Sequence, residues 1–289
     1  MSDTDSMRVR RTSVAALALA VTALLACAPP PPCAVPTLPV EAPFLWRVER
    51  DGAVVWLFGT IHNAGADSVP PAAWAALEAS PRFASELGNV EADPELIREL
   101  ATLPRGKGLD ALLAADDWWD LSELLRGVIR ADDLKRTRPW YAMSLITGKV
   151  APSPDPTMDV ALARRARARH LPVDALETWR GQLTVVADAV TLDDLRDALH
   201  ARGTMRCDLA VMRGSYDAGS AARMERHLNI VGASALVASR NAAWLPALEA
   251  HLAGGGAFVA VGLGHLLGPD GLPAQLAARG YTVLRVTSR

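Results

Sequence analysis

The chain has 289 residues, of which 50% are hydrophobic and 21% are charged. This is the composition of a globular protein with enough apolar residues for a substantial core. The formal net charge of −2 argues against the strongly basic surface with which proteins bind nucleic acid, so we expect no nucleic-acid partner.

The N-terminus has the pattern of a secretory signal. A basic segment, residues 8–11, precedes an apolar run at 14–26 that is too short to span a bilayer. The run ends in the letters LLAC, which resemble a bacterial lipobox and imply cleavage before Cys27 and lipid on that cysteine. We therefore expect a lipoprotein-type signal peptide at 1–26. This predicts membrane attachment through an N-terminal lipid anchor in the bacterial cell envelope, at the outer membrane or in the periplasm, or a secreted protein if Cys27 carries no lipid.

Residues 27–43 are rich in proline and predict a stiff, extended tether between the anchor and the folded domain. If Cys27 is lipidated, Cys33 and Cys207 are the two remaining cysteines, and they either pair or stay free. The chain has no Cys-x-x-Cys spacing, which argues against a zinc site built from thiolates.

The folded domain is predicted to begin with a hairpin. Two β-type runs, 44–49 and 53–58, are joined through Asp51-Gly52, which is a strong turn signal between strands. A short helix with prolines in its first turn is predicted at 70–78, followed by a short strand at 83–87.

The middle of the chain is predicted to be mostly helical. The segments 93–150 and 182–230 carry helical patterns and indicate a cap or lateral helical layer. Between them, a basic helix is predicted at 157–169 with Thr157 as its N-cap, followed by a strand at 173–176.

The C-terminal part returns to alternating elements. A long helix at 235–253 is closed by three glycines, and a fully apolar strand at 257–261, a helix at 269–279 and a last strand at 281–286 follow. Strands separated by helices predict a single α/β domain over 44–289, with a mainly parallel central sheet flanked by helices, an N-terminal hairpin and a helical cap layer.

Two of the predicted strands end in the same pattern. The runs VVWLFGTIH and AFVAVGLGH each carry a strand, a glycine, two residues and a histidine, which places Gly59 before His62 and Gly262 before His265. Ligands of open α/β sheets bind beyond the carboxyl ends of the strands. Glycine at such an end allows a sharp turn and close approach of a ligand, so we expect both glycines to contribute to substrate binding.

Glu86 and Glu177 also fall at or just past the ends of predicted strands. Two histidines with one or two glutamates have the composition of a divalent metal site, and His₂Glu with an open position is a hydrolytic arrangement. Each residue also has a structural alternative, because a strand-end histidine can be a core residue and a strand-end glutamate can cap a helix. The remaining histidines lie on polar helical segments and are expected to be solvated: His170, His200, His227 and His251.

Three segments resemble motifs of the TraB/PrgY/GumN family: WLFGTIHNAGADSVPPAAWAALEASPRFASEL at its opening, PTMDVALARRARARHLPVDALET in its middle, and SRNAAWLPALEAHLAGGGAFVAVGLGHLLGPDGLPAQLAARGYTVLRV at its close. The resemblance covers about 44–287. It implies that His62, Glu86 and His265 match the active-site positions of the Tiki-type metalloproteases, which cleave peptides with a divalent metal such as manganese or cobalt. Arg240 and Asn241 match an Arg-Asn pair of the family.

We therefore expect a metal-dependent hydrolase of amide bonds that binds manganese, cobalt or zinc and acts on a peptide or small-molecule substrate. His62, His265 and Glu86 would be the ligands, with Glu86 alternatively a general base. Glu177 is expected as a second base or as a residue that orients a histidine, and Arg240 as a group that stabilises an oxyanion or binds a substrate carboxylate.

Two alternatives remain open at this stage. The resemblance extends to the erythromycin esterases, which implies metal-independent ester hydrolysis by histidine and glutamate. A non-catalytic protein that binds a peptide signal or an exported polymer is the other alternative. On the resemblance, we also expect Asn241 to help bind substrate. Asparagine is a poor helix former in mid-helix, which supports a role for it, and an exposed polar face is the alternative for the Arg-Asn pair. Asn63 departs from the apolar residue that the family leads us to expect after the first histidine.

Overall fold

The computed structural model describes residues 33–88, 92–228 and 230–287. The predicted signal peptide and the lipidated Cys27 lie outside the described residues and stay predictions. None of the described helices is long and apolar enough to span a bilayer. Of the cysteines considered above, Cys207 is disulfide-bonded, and so is Cys33.

Residues 35–289 form one compact unit. Within the described ranges this unit has six strands: β1 (Leu45–Arg50), β2 (Ala53–Thr60), β3 (Phe83–Ser85), β4 (Val173–Ala175), β5 (Ala257–Gly262) and β6 (Thr282–Arg285). Three short 3₁₀ turns cover Ala66–Ser68, Ala201–Gly203 and Leu263–His265.

Thirteen helices accompany the strands in the same ranges. They are α1 (Pro71–Ala79), α2 (Pro94–Ala101), α3 (Leu109–Leu112), α4 (Ala115–Leu124), α5 (Ala131–Lys135), α6 (Pro139–Val150), α7 (Met158–Ala168), α8 (Trp179–Ala189), α9 (Leu192–His200), α10 (Met205–Asp217), α11 (Ala221–His227), α12 (Ile230–Ala253) and α13 (Leu272–Ala278).

The sheet has the order β4-β3-β5-β2-β1-β6. The pairs β4–β3, β3–β5 and β5–β2 are parallel, and β1 is antiparallel to both β2 and β6. Strand β5 is buried along nearly its whole length, which explains its uninterrupted apolar sequence. The predicted α/β fold with a mainly parallel sheet flanked by helices is confirmed.

The predicted N-terminal hairpin is also confirmed. Asp51 and Gly52 both have positive φ, 53° and 82°, which is the backbone of a type I′ turn. Such a turn matches the twist of the two strands, and it pairs Arg50 directly with Ala53.

The helical middle of the chain has an apolar cluster of its own, separate from the cluster around the sheet. Helices α3–α6 and α9 supply its buried side chains, which include Leu109, Leu121, Leu125, Leu134, Ala142, Ile146, Leu195 and Leu199. The predicted helical layer therefore has a hydrophobic basis independent of the sheet.

Two predicted helices differ in where they begin. Helix α12 begins at Ile230, earlier than predicted, and so includes Gly232, although glycine is a poor helix former. Helix α13 begins at Leu272 rather than 269, because Gly271, its N-cap, has an extended backbone with φ −65° and ψ 148°.

Gly256 is expected to be a site where no side chain fits. Its φ is 110°, and a Cβ atom there would lie 2.2 Å from the carbonyl oxygen of Val54. Gly255 has a similar φ of 97° but open space around it, so it is a matched control. We predict that Gly256→Ala lowers the free energy of unfolding by roughly 2–5 kcal/mol, through backbone strain and the clash together.

Gly255→Ala is predicted to lower the free energy of unfolding by about 1–3 kcal/mol, through strain alone. Urea unfolding of both variants at equal m-value measures the difference. Equal losses in the two variants would show that the contact with Val54 has no energetic weight.

Candidate functional site

The four strand-end residues expected from the sequence lie along one edge of the sheet. His62 follows β2, Glu86 follows β3, Glu177 follows β4 and His265 follows β5, and these four strands are parallel neighbours. In the register of the central pair, the last residue of β2 lies opposite the last residue of β5. The segment after β2 that carries His62, residues 61–65, is called the first histidine loop, and the segment after β5 that carries His265, residues 263–271, the second histidine loop. The two loops therefore leave the sheet side by side.

The Glu86 carboxylate is held by three donors. Its Oε1 accepts a hydrogen bond from the backbone N–H of Gly262 at 2.8 Å. Its Oε2 accepts from Gln182 Nε2 and from Arg240 Nη2, each at 2.7 Å. These bonds fix the orientation of the carboxylate relative to the second histidine loop, to α8 and to α12.

Arg240 lies between two glutamates. Besides Glu86, it contacts Glu177, to which Nε donates at 3.1 Å and Nη2 makes a second, shorter contact. The Arg240 side chain is 16% exposed, and its guanidinium lies 4.9 Å from the centre of the Trp244 ring. Burial alone would lower the pKa of Arg240, but the hydrogen bonds and charges of both glutamates raise it overall.

His265 is held by Asn241. His265 Nδ1 lies 2.7 Å from Asn241 Oδ1, and Asn241 Nδ2 donates to the carbonyl oxygens of His265 and Asp270 at 3.1 and 2.9 Å. These two carbonyl contacts set the orientation of the amide, so Oδ1 faces the ring and Nδ1 carries the proton. Asn241 is fully buried, and it contacts both the ring and the backbone carbonyl of His265.

His265 is 5% exposed and packs against Trp244, with ring centres 4.3 Å apart. Desolvation lowers its pKa to about 4, with the Glu86 charge opposing and the Arg240 charge reinforcing that shift. His265 is therefore neutral near pH 7, with an unprotonated Nε2 that lies 3.9 Å from Glu86 Oε1.

His62 has a different environment. Its side chain is 85% exposed, and its Nδ1 lies 3.4 Å from Asp159 Oδ2. Thr60 Oγ1 donates to the other oxygen of the same carboxylate at 2.6 Å. The contact with Asp159 raises the pKa of His62 against some desolvation, and the charges of Asp159 and Glu86 act in the same direction. Because the ring is so exposed, solvent screening keeps this effect small in free energy.

Gly59 is explained by packing within the protein. A Cβ atom at Gly59 would lie 2.6 Å from Leu263 Cδ1 and 3.2 Å from Leu263 Cα, so a larger residue there requires Leu263 to shift. Its backbone N–H donates to the carbonyl of Phe44, and its carbonyl accepts from the Tyr216 hydroxyl at 2.5 Å. The backbone groups of Gly59 are thus used inside the protein.

Gly262 and Asn63 also have structural partners. Gly262 presents its N–H to Glu86, and a Cβ atom there would lie 3.3 Å from Glu86 Oε1. Asn63 Nδ2 donates to the carbonyl of Leu209 at 2.9 Å and so ties the first histidine loop to α10. This contact gives a reason for a polar residue directly after His62.

The sequence did not single out several residues that contact the expected ones. They are Thr60, Asp159, Gln182, Tyr216 and Trp244. The sequence carries a signal that Asp159 is unusual. It lies on the same face of α7 as the buried Ala163 and Ala166, where the helical period leads us to expect an apolar residue.

The donor types at this edge suit a divalent metal, but they are not gathered around one point. In residues 33–88, 92–228 and 230–287, no three His, Cys, Asp or Glu side chains are placed to hold a metal ion. His265 Nε2 and Glu86 Oε1 are 3.9 Å apart, wider than the roughly 3.3 Å between two ligands that each lie about 2 Å from one tetrahedral ion. A small shift of either side chain would bring this pair to ligand distance, and His62 is the candidate for the third ligand.

The sequence profile of the TraB/PrgY/GumN family matches residues 44–285. The chain belongs to the TraB/PrgY/GumN family. No curated protein and no solved structure matches it. The match includes every TraB/PrgY/GumN site residue described above, from Gly59 to His265.

Arg240 is predicted to be essential for the stability of this TraB/PrgY/GumN domain. Arg240→Met leaves Glu86 and Glu177 without their counter-charge in a largely buried place, and we expect the free energy of unfolding to fall by about 3–5 kcal/mol. Arg180, which forms a two-bond ion pair with Glu99 on the surface, is the matched control.

Arg180→Met is expected to change stability very little, because solvent screens exposed ion pairs. Urea unfolding of the two variants tests this difference. Similar losses of unfolding free energy in both variants would mean that the ion pairs of Arg240 stabilise the protein no more than an exposed ion pair does.

The pKa of His265 predicts a pH dependence of stability. Because the folded-state pKa is about 4 and the unfolded value is 6.5, the unfolded chain binds the proton first as the pH falls. We expect His265 to cost the metal-free protein up to about 3 kcal/mol of unfolding free energy as the pH falls from 6.5 to 4. Unfolding curves across this range should show a shallower dependence in His265→Gln, and identical dependence in both proteins would contradict the low pKa.

Proposed function

We propose that this protein is a metal-dependent hydrolase that cleaves peptide bonds in the cell envelope. One observation carries the proposal. Both strand-end histidines have Nδ1 against a side-chain oxygen, of Asp159 for His62 and of Asn241 for His265, so that Nε2 is the nitrogen left for chemistry. Histidines that bind a metal or transfer a proton are commonly held in this way.

The metal would be held by His265 Nε2 and Glu86 Oε1, with His62 Nε2 as the further ligand. A manganese, cobalt or zinc ion held there would supply Lewis-acid chemistry, by lowering the pKa of water and polarising the carbonyl of the substrate. The low pKa of His265 supports this assignment, because only the neutral imidazole is a ligand.

The protein's own residues orient these groups. Asn241 holds His265 in the tautomer with the lone pair on Nε2. Arg240 and Gln182 donate hydrogen bonds to Glu86 and hold its carboxylate in place. The proposed role of Arg240 is therefore to orient this carboxylate. Glu177 is engaged by Arg240, which supports a role in orienting that guanidinium rather than one as a second base.

A metal-independent hydrolase is the second candidate, and the contacts of Glu86 favour it. Both oxygens of that carboxylate already accept hydrogen bonds from the protein. In this alternative His62 Nε2 takes a proton from the attacking water, and Asp159 stabilises the imidazolium that forms. The substrate would then be an ester or amide of a small molecule or a peptide.

Four proteins test the proposal: the wild type, His62→Ala, His265→Ala and the control His200→Ala, whose histidine pairs with Asp117 away from the sheet. Each is freed of metal with a chelator and reloaded with manganese, cobalt or zinc. Elemental analysis then measures bound metal, and mass spectrometry measures cleavage of a peptide mixture. We expect His200→Ala to match the wild type, and the two site variants to lose metal and to cleave roughly 10²–10⁴-fold more slowly.

The outcomes separate the candidates. Equal metal content in all four proteins would contradict the assignment of His62 and His265 as ligands. Cleavage that survives chelation but is lost in His62→Ala would support the metal-independent hydrolase. Tight peptide binding without turnover under any metal would contradict both and would favour a binding protein.

A further inference from the structure

Asp159 lies beside His62 because α7 is attached to the first histidine loop. The N–H of Met158 donates to the carbonyl of Ala64 at 3.0 Å, and Gly65 forms an antiparallel bridge with Thr157. Met158 is fully buried, which anchors the first turn of the helix. The position of Asp159 relative to the loop is therefore set by backbone contacts of the two residues that precede it, Thr157 and Met158.

The two carboxylate oxygens of Asp159 have different surroundings. Oδ1 accepts the short hydrogen bond from the Thr60 hydroxyl. Oδ2 is buried and has no hydrogen-bond partner of ordinary geometry among the described residues, but it faces His62 Nδ1 at 3.4 Å. A buried carboxylate oxygen without a hydrogen-bond donor costs free energy. A proton on His62 Nδ1, facing this oxygen, lowers that cost.

A role in capping or packing does not explain Asp159. The N-cap of α7 is Thr157, whose side chain accepts from the N–H of Val160. The stripe that Asp159 shares with Ala163 and Ala166 is buried and would be served by an apolar residue. What the carboxylate does that an apolar residue could not is to accept hydrogen bonds from Thr60 and His62.

The surrounding charges keep Asp159 ionised. It lies in the first turn of α7, where the helix dipole favours negative charge. Burial on its own would raise the pKa of Asp159, but the contacts with His62 and Thr60 lower it overall. The charge of Glu86 also acts on His62 and raises its pKa.

We propose that Asp159 is a positioning residue for His62: its Oδ2 accepts the Nδ1–H of the ring and so fixes the tautomer whose lone pair is on Nε2, while Thr60 holds the carboxylate in place. The role deepens the proposed function, because it says how the more exposed histidine is prepared for its chemistry.

The two histidines are then not equivalent. His265 is oriented by the neutral amide of Asn241, whereas His62 is oriented by a carboxylate. A negative acceptor withdraws the Nδ1 proton more strongly and makes Nε2 of the same ring more electron-rich. His62 is therefore the more basic of the pair and the stronger ligand or proton acceptor.

Nitrogen NMR of the imidazole rings tests the role without any substrate. The metal-free protein is labelled with ¹⁵N-histidine and measured at a pH above the pKa of His62, and the His62 signals are assigned by their loss in His62→Gln. We expect a protonated Nδ1 and an unprotonated Nε2 in the wild type. In Asp159→Ala, and in Asp159→Leu, which suits the apolar stripe, we expect a shift to the Nε2–H tautomer.

Asp159→Glu should restore the Nδ1–H signal, because it returns a carboxylate. The matched control is Asp194→Ala, which also removes an acid from the first turn of a helix, but in the capping box of α9 far from the site. It should leave the His62 signals unchanged. With a cleavable substrate, Asp159→Ala is expected to be about 10- to 100-fold slower than the control.

A protonated Nδ1 in both Asp159→Ala and Asp159→Leu would overturn the proposal, as would an Nε2–H tautomer in the wild type. Circular dichroism establishes which of the two variants folds, and one folded variant is sufficient. Failure of the hydrolase proposal gives a different result, in which no variant shows turnover while the tautomer still changes with Asp159.

Discussion

The carboxylate of Glu86 connects four parts of the fold. It follows β3, accepts the backbone N–H at the end of β5, and binds side chains from α8 and α12. A carboxylate accepts several hydrogen bonds at once, so one side chain can fix the relative positions of elements far apart in the sequence. Arg240 extends this junction to the end of β4 through Glu177. The second histidine loop and the long helix α12 therefore have a common reference point at the edge of the sheet.

Much of this architecture is readable from the sequence, because its signals are local. The hairpin follows from Asp51-Gly52 between two apolar runs, and the central position of β5 follows from its uninterrupted apolar residues. The shared edge of His62 and His265 follows from the repeated strand–Gly–x–x–His pattern. These predictions need only the rule that parallel strands present their carboxyl ends together.

The contacts that define the site could not be read in the same way, because they join residues far apart in the chain. The substrate role expected for Asn241 stays a prediction, and its contact with His265 depends on the packing of α12 over the end of β5. The substrate role expected for Arg240 also stays a prediction, and its contacts with two glutamates have no local signal in the sequence. Asp159 was not expected at the site, because an acidic residue in the first turn of a helix already has a local role. The sign of a second role was a charge on an otherwise buried stripe of a short helix.

The order of the strands has a consequence for when the candidate site can form during synthesis. Strand β5 is central in the sheet but is among the last elements along the chain, and β2 and β3 pair with it rather than with each other. A nascent chain made from its N-terminus therefore lacks the partner strand, the second histidine and the N–H that holds Glu86 until nearly all of it has been synthesised. Because such long-range pairings form late, a chain that ends before β5 lacks the strand, the histidine and the backbone N–H that complete the candidate site.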